Sequence, residues 1–145
     1  MKALIQRVSQ AKVEIDGKIT GEIAQGLLVF IGIQKADEKP QIDKIIKRLL
    51  SYRVFSDSEG KMNLSVTDIA GGILLVSQFT LAADTKSGTR AGFSTAKPPT
   101  EAKALYDYLI KQMQAKHPQV ATGIFAADMQ VSLTNDGPVT FLLEC

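Results

Sequence analysis

The sequence lacks the side-chain combinations that most hydrolases use as nucleophile and base. A Ser-His-Asp or Cys-His arrangement needs a positioned imidazole, and the only histidine, His117, stands directly before Pro118. We interpret it as a surface residue at a helix end. The single cysteine is the last residue, Cys145, and no His-Glu-x-x-His spacing is present for a metal. We therefore expect an enzyme that uses hydroxyl groups, backbone amides or its own substrate, without metal or cofactor.

The first positive signal is Ser77-Gln78-Phe79-Thr80-Leu81, at the end of an apolar strand predicted over Ile73–Leu81. Because side chains alternate along a strand, Gln78 and Thr80 are expected to continue its apolar face. Burying an amide without a partner costs about 1 to 3 kcal/mol, so a pocket at the strand end would supply partners. The alternative is that both residues simply lead into a loop.

The second signal is Thr134-Asn135-Asp136-Gly137-Pro138-Val139-Thr140. Asp-Gly between two alternating runs predicts a hairpin turn, with the proline on an edge. A functional alternative needs a special backbone. A Gly-Pro peptide can adopt the cis form at a cost of about 0.5 to 1 kcal/mol, and glycine lets another molecule approach its carbonyl closely. Such a rigid pair could distinguish the two mirror-image forms of a bound molecule.

Ser77–Leu81 and Asn135–Thr140 resemble the two signature motifs of the D-aminoacyl-tRNA deacylase family, which includes D-tyrosyl-tRNA deacylases, and they occur in the expected order. The similarity spans nearly the whole chain through the further segments Ala3–Val8, Tyr52–Asp57, Lys61–Leu64 and Phe125–Val131. The sequence departs from the family at Arg90-Ala91-Gly92-Phe93, where the usual pattern is Arg-Pro-Ser-Phe. We expect a looser loop there.

The resemblance implies an enzyme that hydrolyses the ester between a D-amino acid and the 3′ end of tRNA, which releases the free D-amino acid and the tRNA. Such a reaction is chiral proofreading. The resemblance also implies a homodimer in which Gly137 and Pro138, held cis, reach into the pocket of the other subunit. Their carbonyls would hold the α-amino group and leave no room for an L side chain. Glycine, which has no side chain to clash, would be partly accepted. Ser77 is a further expected substrate-binding residue.

Two mechanisms follow from the resemblance, and they differ in the role of Thr80. In the first, its hydroxyl attacks the ester, but the sequence offers no evident base to activate it. In the second, the 2′-hydroxyl of the terminal adenosine assists attack by water. Backbone N–H groups near Gln78 and Phe79 then stabilise the oxyanion, each worth about 10² to 10³ in rate. We favour the second, in which the Gln78 and Thr80 side chains orient the substrate.

Cations in the loop after Leu81 are expected near the site. Lys86 and Arg90, with Lys97, would contact tRNA phosphates, and the release of counterions would favour this binding. The equally weighted alternative is that these side chains are simply solvated at the surface. Arg7 matches a family position near the Gly-Pro segment and is expected to support it, although an ordinary exposed strand arginine fits the pattern nearly as well.

The elements that must position these residues follow from periodicity. Strands are predicted over Leu4–Val8, Val13–Ile15, Ile19–Ile23, Gly26–Ile33, Ile73–Leu81, Met129–Thr134 and Pro138–Leu143, with a hairpin turn at Asp16-Gly17. One helix begins near Pro40, with Ile42, Ile45, Ile46, Leu49 and Leu50 on its inner stripe. A second is capped by Thr100 and runs to His117, with Ala102, Leu105, Leu109 and Met113 inside. This predicts an α+β fold: a curved, largely antiparallel, barrel-like sheet covered by two helices, as the resemblance also implies.

Composition limits the remaining choices. At 145 residues the chain is expected to be a single domain, 1–145. No apolar run approaches the roughly 20 residues of a membrane span, and one cysteine fits a reducing compartment, so we expect a cytoplasmic protein. The net charge of +2 permits an RNA partner without indicating one; tRNA is the expected partner, with no DNA and no membrane.

Three alternatives stay open. A relative on the same fold would edit mischarged L-aminoacyl-tRNA, with the Gly-Pro carbonyls pointing differently. A non-catalytic module would bind tRNA without hydrolysis, which the modest charge and the missing base allow. A metabolic hydrolase would act on free D-amino acid esters, and dependence on the tRNA body would separate it from the leading hypothesis.

Overall fold

The computed structural model describes residues 1–145 and folds into eight β-strands, two α-helices and one short 3-10 helix. The strands are β1 (Lys2–Ile15), β2 (Lys18–Ile23), β3 (Gly26–Gly32), β4 (Phe55–Ser56), β5 (Met62–Leu64), β6 (Gly72–Ser77), β7 (Val120–Thr122) and β8 (Gln130–Glu144). The helices are α1 (Lys39–Ser51) and α2 (Pro99–Lys116), and the 3-10 helix covers Phe79–Ala82. Neither α-helix is long and apolar enough to cross a membrane.

One six-stranded sheet organises the chain, in the order β2-β1-β3-β6-β7, with β8 pairing with β1. β1 is antiparallel to its three neighbours, whereas β3–β6 and β6–β7 are parallel. Parallel pairs need long crossovers, and these contain α1 and α2. The ends of the sheet nearly meet, since a Cβ on Gly21 of β2 would lie 2.6 Å from the carbonyl oxygen of Thr122 in β7. The predicted α+β, barrel-like fold is confirmed, with a mixed sheet.

The core lies between the sheet and the two helices. The predicted inner stripes of both helices are buried, except that Leu50 is only partly covered. β3 is buried on both faces, because adjacent residues such as Leu27 and Leu28 are both inaccessible. A second, smaller cluster fills the inside of the sheet curve. The Asp16-Gly17 turn has φ values of 50° and 75°, as a type I′ hairpin requires.

Several local predictions are wrong. α2 begins at Pro99, with Pro98 at the cap position, so Thr100 lies inside the first turn and caps nothing; proline suits that first position because its missing N–H has no helical partner anyway. β7 was not predicted, because a three-residue strand shows too little alternation. His117 is buried, with only 4% of its surface exposed, and its Nε2 lies 2.7 Å from the carbonyl oxygen of Gly71.

The C-terminal hairpin prediction is also wrong. Gln130–Glu144 is one continuous strand, and both of its halves pair with β1. The register shifts where Thr140 pairs with Gln6 and Asn135 pairs with Val8, so the four residues between them bulge outward beside Arg7. The Asp-Gly sequence is accommodated by this bulge instead of reversing the chain.

Candidate active site

A cleft of about 670 Å³ opens where the parallel strands β3 and β6 end. Its walls are mostly apolar. The lining residues are Ile31, Ile33, Val76, Ser77, Gln78, Phe79, Phe93, Ala96, Lys97, Pro98, Pro99, Ala102, Phe125, Ala126, Ala127, Met129 and Val131. Volume and lining are typical of a small-molecule site, and the polar strand end predicted a pocket at this point.

The first signature segment (Ser77–Leu81), here called the cleft segment, does not continue the strand as predicted. β6 ends at Ser77, and a 3-10 helix begins at Phe79. Gln78 and Thr80 therefore do not share a strand face. Instead the Gln78 Nε2 donates a hydrogen bond to the Thr80 Oγ1, so each polar side chain satisfies the other.

The backbone of the cleft segment leaves amides available at the site. The N–H of Gln78 is occupied, because it donates to the carbonyl oxygen of Ile31 at 2.8 Å. The N–H groups of Phe79 and Thr80 open the 3-10 helix, where amides have no intrahelical partner. Of these two residues, only Phe79 lines the cleft. Its amide is thus the better placed donor for a developing negative charge.

Two aromatic rings stand at the cleft mouth. Phe79 is 62% exposed and Phe93 is 45% exposed, and their ring centroids lie 5.0 Å apart. The sequence pattern marks Phe93 only as part of the altered Arg90–Phe93 motif, although a large aromatic residue in a polar loop is itself a signal of a binding surface. It also gives no role to the opposite wall, which Phe125, Ala127 and Met129 help to form.

The loop after the cleft segment is tied by its backbone. Asp84 and Gly92 exchange two hydrogen bonds of 2.8 and 3.0 Å, and the Thr95 hydroxyl donates to the carbonyl oxygen of Ala82. The base of the loop is thus closed by hydrogen bonds although the proline and serine of the family pattern are missing. Lys86 and Arg90 lie on its exposed surface.

Lys97 differs from the other two predicted tRNA-contacting cations. It lines the cleft, only 7% of its surface is exposed, and its Nζ lies 3.1 Å from a Glu38 carboxylate oxygen and 3.6 Å from one of Glu101. The hydrogen bond to Glu38 raises the pKa of the Lys97 ammonium group. Its charge is therefore neutralised within the chain, and it is a wall residue instead of a free phosphate contact.

The second signature segment, here called the edge segment (Asn135–Thr140), projects from β8. Asp136, Gly137 and Pro138 are exposed, and the Gly137–Pro138 peptide bond is cis. The Asn135 side chain accepts the N–H of Val139 at 3.0 Å and donates to the Thr140 hydroxyl at 2.8 Å. Polar side chains at its base thus hold the segment while its tip faces solvent.

Arg7 anchors the edge segment to the body of the protein. Its Nε donates to the Asp136 carbonyl oxygen at 2.9 Å, and its Nη1 donates to the Val54 carbonyl oxygen at 2.8 Å. Its side chain is only 13% exposed. The expected supporting role fits these contacts, and the alternative of an ordinary exposed arginine does not.

Within one chain the two signature segments lie apart. On β3, Leu27 pairs with Arg7 beside the edge segment, whereas Ile31 pairs with Ser77 of the cleft segment. Four residues of strand span about 13 Å. Neither Gly137 nor Pro138 lines the cleft, so the cleft of a single chain does not contain the Gly-Pro pair.

No imidazole reaches the cleft. His117 contacts Gly71, the residue before β6, which lies about 20 Å along the chain from Ser77 at the other end of that strand. The chain also contains no group of three or more His, Cys, Asp or Glu residues placed to hold a metal ion. Beneath the strand, the Tyr106 hydroxyl donates to the Leu75 carbonyl oxygen at 2.9 Å, and burial raises the pKa of that hydroxyl. Tyr106 thus fixes β6 under the cleft without taking part in it.

Comparison with known proteins gives consistent results. The family model for D-Tyr-tRNA(Tyr) deacylase matches residues 4–144. A D-aminoacyl-tRNA deacylase of Ectopseudomonas mendocina (strain ymp) is 60% identical over 144 residues, and one of Cellvibrio japonicus (strain Ueda107) is 58% identical, each match covering 99% of both chains.

Solved structures agree with the fold. One described as “c-Myc DNA Unwinding Element Binding Protein” superposes with a TM-score of 0.96 at 36% identity, covering 100% of this chain and 99% of that one. Another, described as “Structural Analysis of a probable eukaryotic D-amino acid tRNA deacylase”, has a TM-score of 0.86 at 14% identity, covering 98% and 97% of the two chains. At that identity the second match shows the fold alone.

Proposed function

The chain belongs to the D-Tyr-tRNA(Tyr) deacylase family and is a hydrolase with that family's D-aminoacyl-tRNA deacylase activity, and we propose that its complete active site needs two copies of the chain. The observation that carries the proposal is the separation of the two signature segments. One lies in the apolar cleft and the other projects from an exposed strand. A substrate in the cleft would meet the edge segment of a second copy.

The ester carbonyl would lie against the start of the 3-10 helix. There the Phe79 N–H would donate to the oxyanion that forms when water attacks, because the Gln78 N–H already bonds Ile31. A preorganised amide of this kind is worth about 10² to 10³ in rate. The Gln78 side chain, held to the Thr80 hydroxyl, would position the substrate, and Ser77 would line its binding site.

The base would come from the substrate. The described side chains at the cleft include no imidazole, and the one ammonium group, Lys97, is paired with two glutamates. The 2′-hydroxyl of the terminal adenosine lies next to the ester in the substrate itself and would assist the attacking water. A D-tyrosyl-tRNA ending in 2′-deoxyadenosine should then bind normally but lose about 10² to 10⁴ in rate, the usual range for general acid–base assistance.

Handedness would come from the second copy. The carbonyl groups of its Gly137 and Pro138 would accept hydrogen bonds from the substrate's α-amino group, which fixes the direction of the side chain. An L side chain would then point into the protein, whereas a D side chain would point out of it. Selection by exclusion predicts that glycyl-tRNA is partly accepted and hydrolysed, since glycine has no side chain to exclude.

The first experiment compares D-tyrosyl-tRNA with L-tyrosyl-tRNA at substoichiometric enzyme, with EDTA present. We expect rapid loss of the D ester alone. Loss of the L ester instead would favour the editor of mischarged L-aminoacyl-tRNA. Loss of neither, with a folded protein, would favour the non-catalytic module. Equal hydrolysis of D-tyrosine methyl ester would favour the metabolic hydrolase.

The second experiment tests the role of the second copy. Gly137→Ala disables the edge segment, and Ala127→Trp fills the cleft. Each variant alone should keep no more than about a hundredth of the activity. In a mixed dimer one cleft is intact and faces an intact edge segment, so random mixing in a two-fold symmetric dimer should restore about a quarter of the activity. If the edge segment served its own chain, mixing would restore nothing.

The substrate also sets where the activity is expected. A deacylase acting on aminoacyl-tRNA would work in the cytoplasm, beside translation, with tRNA as its nucleic-acid partner. The relative described as a DNA unwinding element binding protein makes duplex DNA the control ligand. Binding of duplex DNA with the affinity of tRNA would contradict the proposed partner.

A further inference from the structure

The two helices carry an excess of positive charge that the net charge of the chain hides. α1 contains four basic residues and one acidic residue, and α2 contains three basic residues and two acidic ones. The helices together are thus more positive than the whole chain, whose net charge is +2, and the remainder is negative. A basic face on one layer is the pattern of a surface that meets an anion.

A second cleft lies within this basic layer. It has a volume of about 810 Å³ and is formed by α1, α2, Arg53 and the Ser65–Asp68 turn. We call it the helix groove. Lys47, Arg53 and Lys116 line it, all three are exposed, and none forms an ion pair. Three unpaired cations thus face one groove.

The two carboxylates in the helix groove are already engaged. Asp43 accepts a hydrogen bond from the Tyr108 hydroxyl at 3.0 Å, which also ties α1 to α2. Asp68 accepts the backbone N–H and the hydroxyl of Ser65, both at 2.8 Å. These bonds, with a smaller contribution from the charge of Arg53, lower the pKa of Asp68. Neither acid is within ion-pair distance of a groove cation, so the cations keep donors to offer.

We propose that the helix groove binds the phosphate backbone of the double-helical stem next to the 3′ end of the tRNA. This inference rests on the proposed function. The groove is lined mainly by polar and charged residues, with only Ile46, Leu50 and Tyr108 as larger apolar or aromatic ones, which suits phosphate contacts that position a nucleic acid without reading its bases. The aminoacyl end would then enter the cleft while the stem lies along the helices.

The distance between the two sites fits this arrangement. α2 connects them, because Ala102 lines the cleft while Gln112 and Lys116 line the helix groove. Ten to fourteen helical residues span about 15 to 21 Å. At roughly 3.4 Å per phosphate on one strand, this corresponds to about four to six phosphates. The groove is therefore close enough to contact the tRNA that supplies the ester, and far enough to leave the reaction itself untouched.

The test replaces the three groove cations together, as Lys47→Gln, Arg53→Gln and Lys116→Gln. The control makes the same charge change away from the groove, as Lys12→Gln, Lys18→Gln and Lys61→Gln. Lys12 and Lys61 are paired with Glu14 and Glu59, so the control is matched in charge and not in pairing. Both proteins are assayed on D-tyrosyl-tRNA over a range of salt, and on D-tyrosyl-adenosine, which has the ester and no RNA stem. Circular dichroism checks the fold, which exposed glutamines should leave intact.

For the groove variant we expect the KM for D-tyrosyl-tRNA near 0.1 M salt to rise about tenfold or more, and its logarithmic salt slope to fall by about three. kcat, and all kinetics on D-tyrosyl-adenosine, should be unchanged, and the control should keep the wild-type KM. An unchanged KM in the groove variant, or an equal rise in the control, would overturn the inference.

If the wild type hydrolyses neither substrate, the proposed function fails, and fluorescence anisotropy with labelled tRNA then tests the groove by itself. Weaker tRNA binding in the groove variant alone would support the groove. Equal tRNA binding by the groove variant and the wild type would overturn it.

Discussion

The two signature segments are built in opposite ways. The cleft segment follows a strand of the core, and its Gln78 side chain and amide are both bonded within the chain. The edge segment lies on a strand that pairs on one side only, and its Gly137 and Pro138 face solvent. The cleft segment is held by hydrogen bonds within itself and to β3, whereas the edge segment projects and is held only at its base.

This difference indicates a division of labour. An amide directly after a buried strand is suited to stabilise charge, because the fold fixes its direction before substrate arrives. A projecting, side-chain-anchored tip is suited to enter a cleft that is not its own. The cleft segment is thus the expected place of the reaction, and the edge segment the expected place of stereochemical selection. Variants in the two regions should separate these tasks.

Gly137→Ala should have the largest effect. Gly137 has a φ of 132°, and an added Cβ would lie 2.8 Å from both the Arg7 Nη2 and the Val139 Cγ2. The tip must therefore shift, and a displacement of about 1 Å can cost a hundredfold in rate. We expect kcat/KM on D-tyrosyl-tRNA to fall about a hundredfold and stability to fall by roughly 1 to 2 kcal/mol, because an L residue is strained at positive φ.

Gly60→Ala is the matched control for that variant. Gly60 also has a positive φ, of 75°, but an added Cβ meets nothing within 4 Å, and the residue lies in the turn between β4 and β5. It should cost roughly 1 kcal/mol of stability and leave kcat/KM unchanged. Similar activity losses in both variants would mean that backbone strain, and not the position of the edge segment, governs the rate.

Phe93→Ala should come next in size. Its ring and that of Phe79 form an exposed aromatic surface at the cleft mouth, and stacking of a base on such a ring is worth about 1 to 3 kcal/mol. The KM for D-tyrosyl-tRNA should rise about tenfold with kcat preserved. Ile19→Ala, an exposed apolar residue on β2, is the control. A fall in kcat without a change in KM would assign Phe93 to the reaction instead.

Arg7→Lys should have a smaller effect, because it loosens the edge segment without moving its glycine. Lysine cannot span the Val54 and Asp136 carbonyl oxygens that the guanidinium joins. Losing one bond to a charged group costs about 1.5 to 3 kcal/mol, which urea unfolding would measure, and kcat/KM should fall several-fold. Arg48→Lys, whose arginine donates to the Glu144 carbonyl oxygen at the surface, should change neither greatly. Full activity in Arg7→Lys would mean that the edge segment keeps its function without the anchoring bonds of Arg7.

The sequence predicted best the parts that depend on repeated local patterns. Both helices and the buried strand β3 followed from hydrophobic periodicity, because burial is repeated over many residues there. Features that depend on one residue or one contact were not predicted. The alternation of Ser77–Leu81 predicts a continued strand, but pairing with β3 ends with the bond from Gln78 to Ile31 and a 3-10 helix begins at Phe79; where a neighbouring strand ends is not contained in a local pattern.

Tertiary pairing also decided the remaining errors. Asp136-Gly137 has the composition of a hairpin, but the residues after it return to the same neighbour, β1, so the pair became a bulge. His117 was predicted to be a surface residue at a helix end, but in the folded chain its ring lies against the Gly71 carbonyl oxygen. Both signature segments were recognised by resemblance, whereas their separation within one chain appears only once the register of β1, β3 and β6 is known.

Thr80→Val should have the smallest effect and tests the cleft segment most directly. The Thr80 hydroxyl accepts a hydrogen bond from Gln78, is exposed, and does not line the cleft; valine keeps its shape and removes only that bond. Because the proposed reaction uses the Phe79 amide and the substrate's own 2′-hydroxyl, kcat should fall less than about tenfold, as expected for one neutral hydrogen bond of about 1 kcal/mol. Thr80→Ser, which keeps a hydroxyl, is the control. Loss of all activity in the valine variant with full activity in the serine variant would make Thr80 the nucleophile, and the cleft segment would then act through a side chain instead of its backbone.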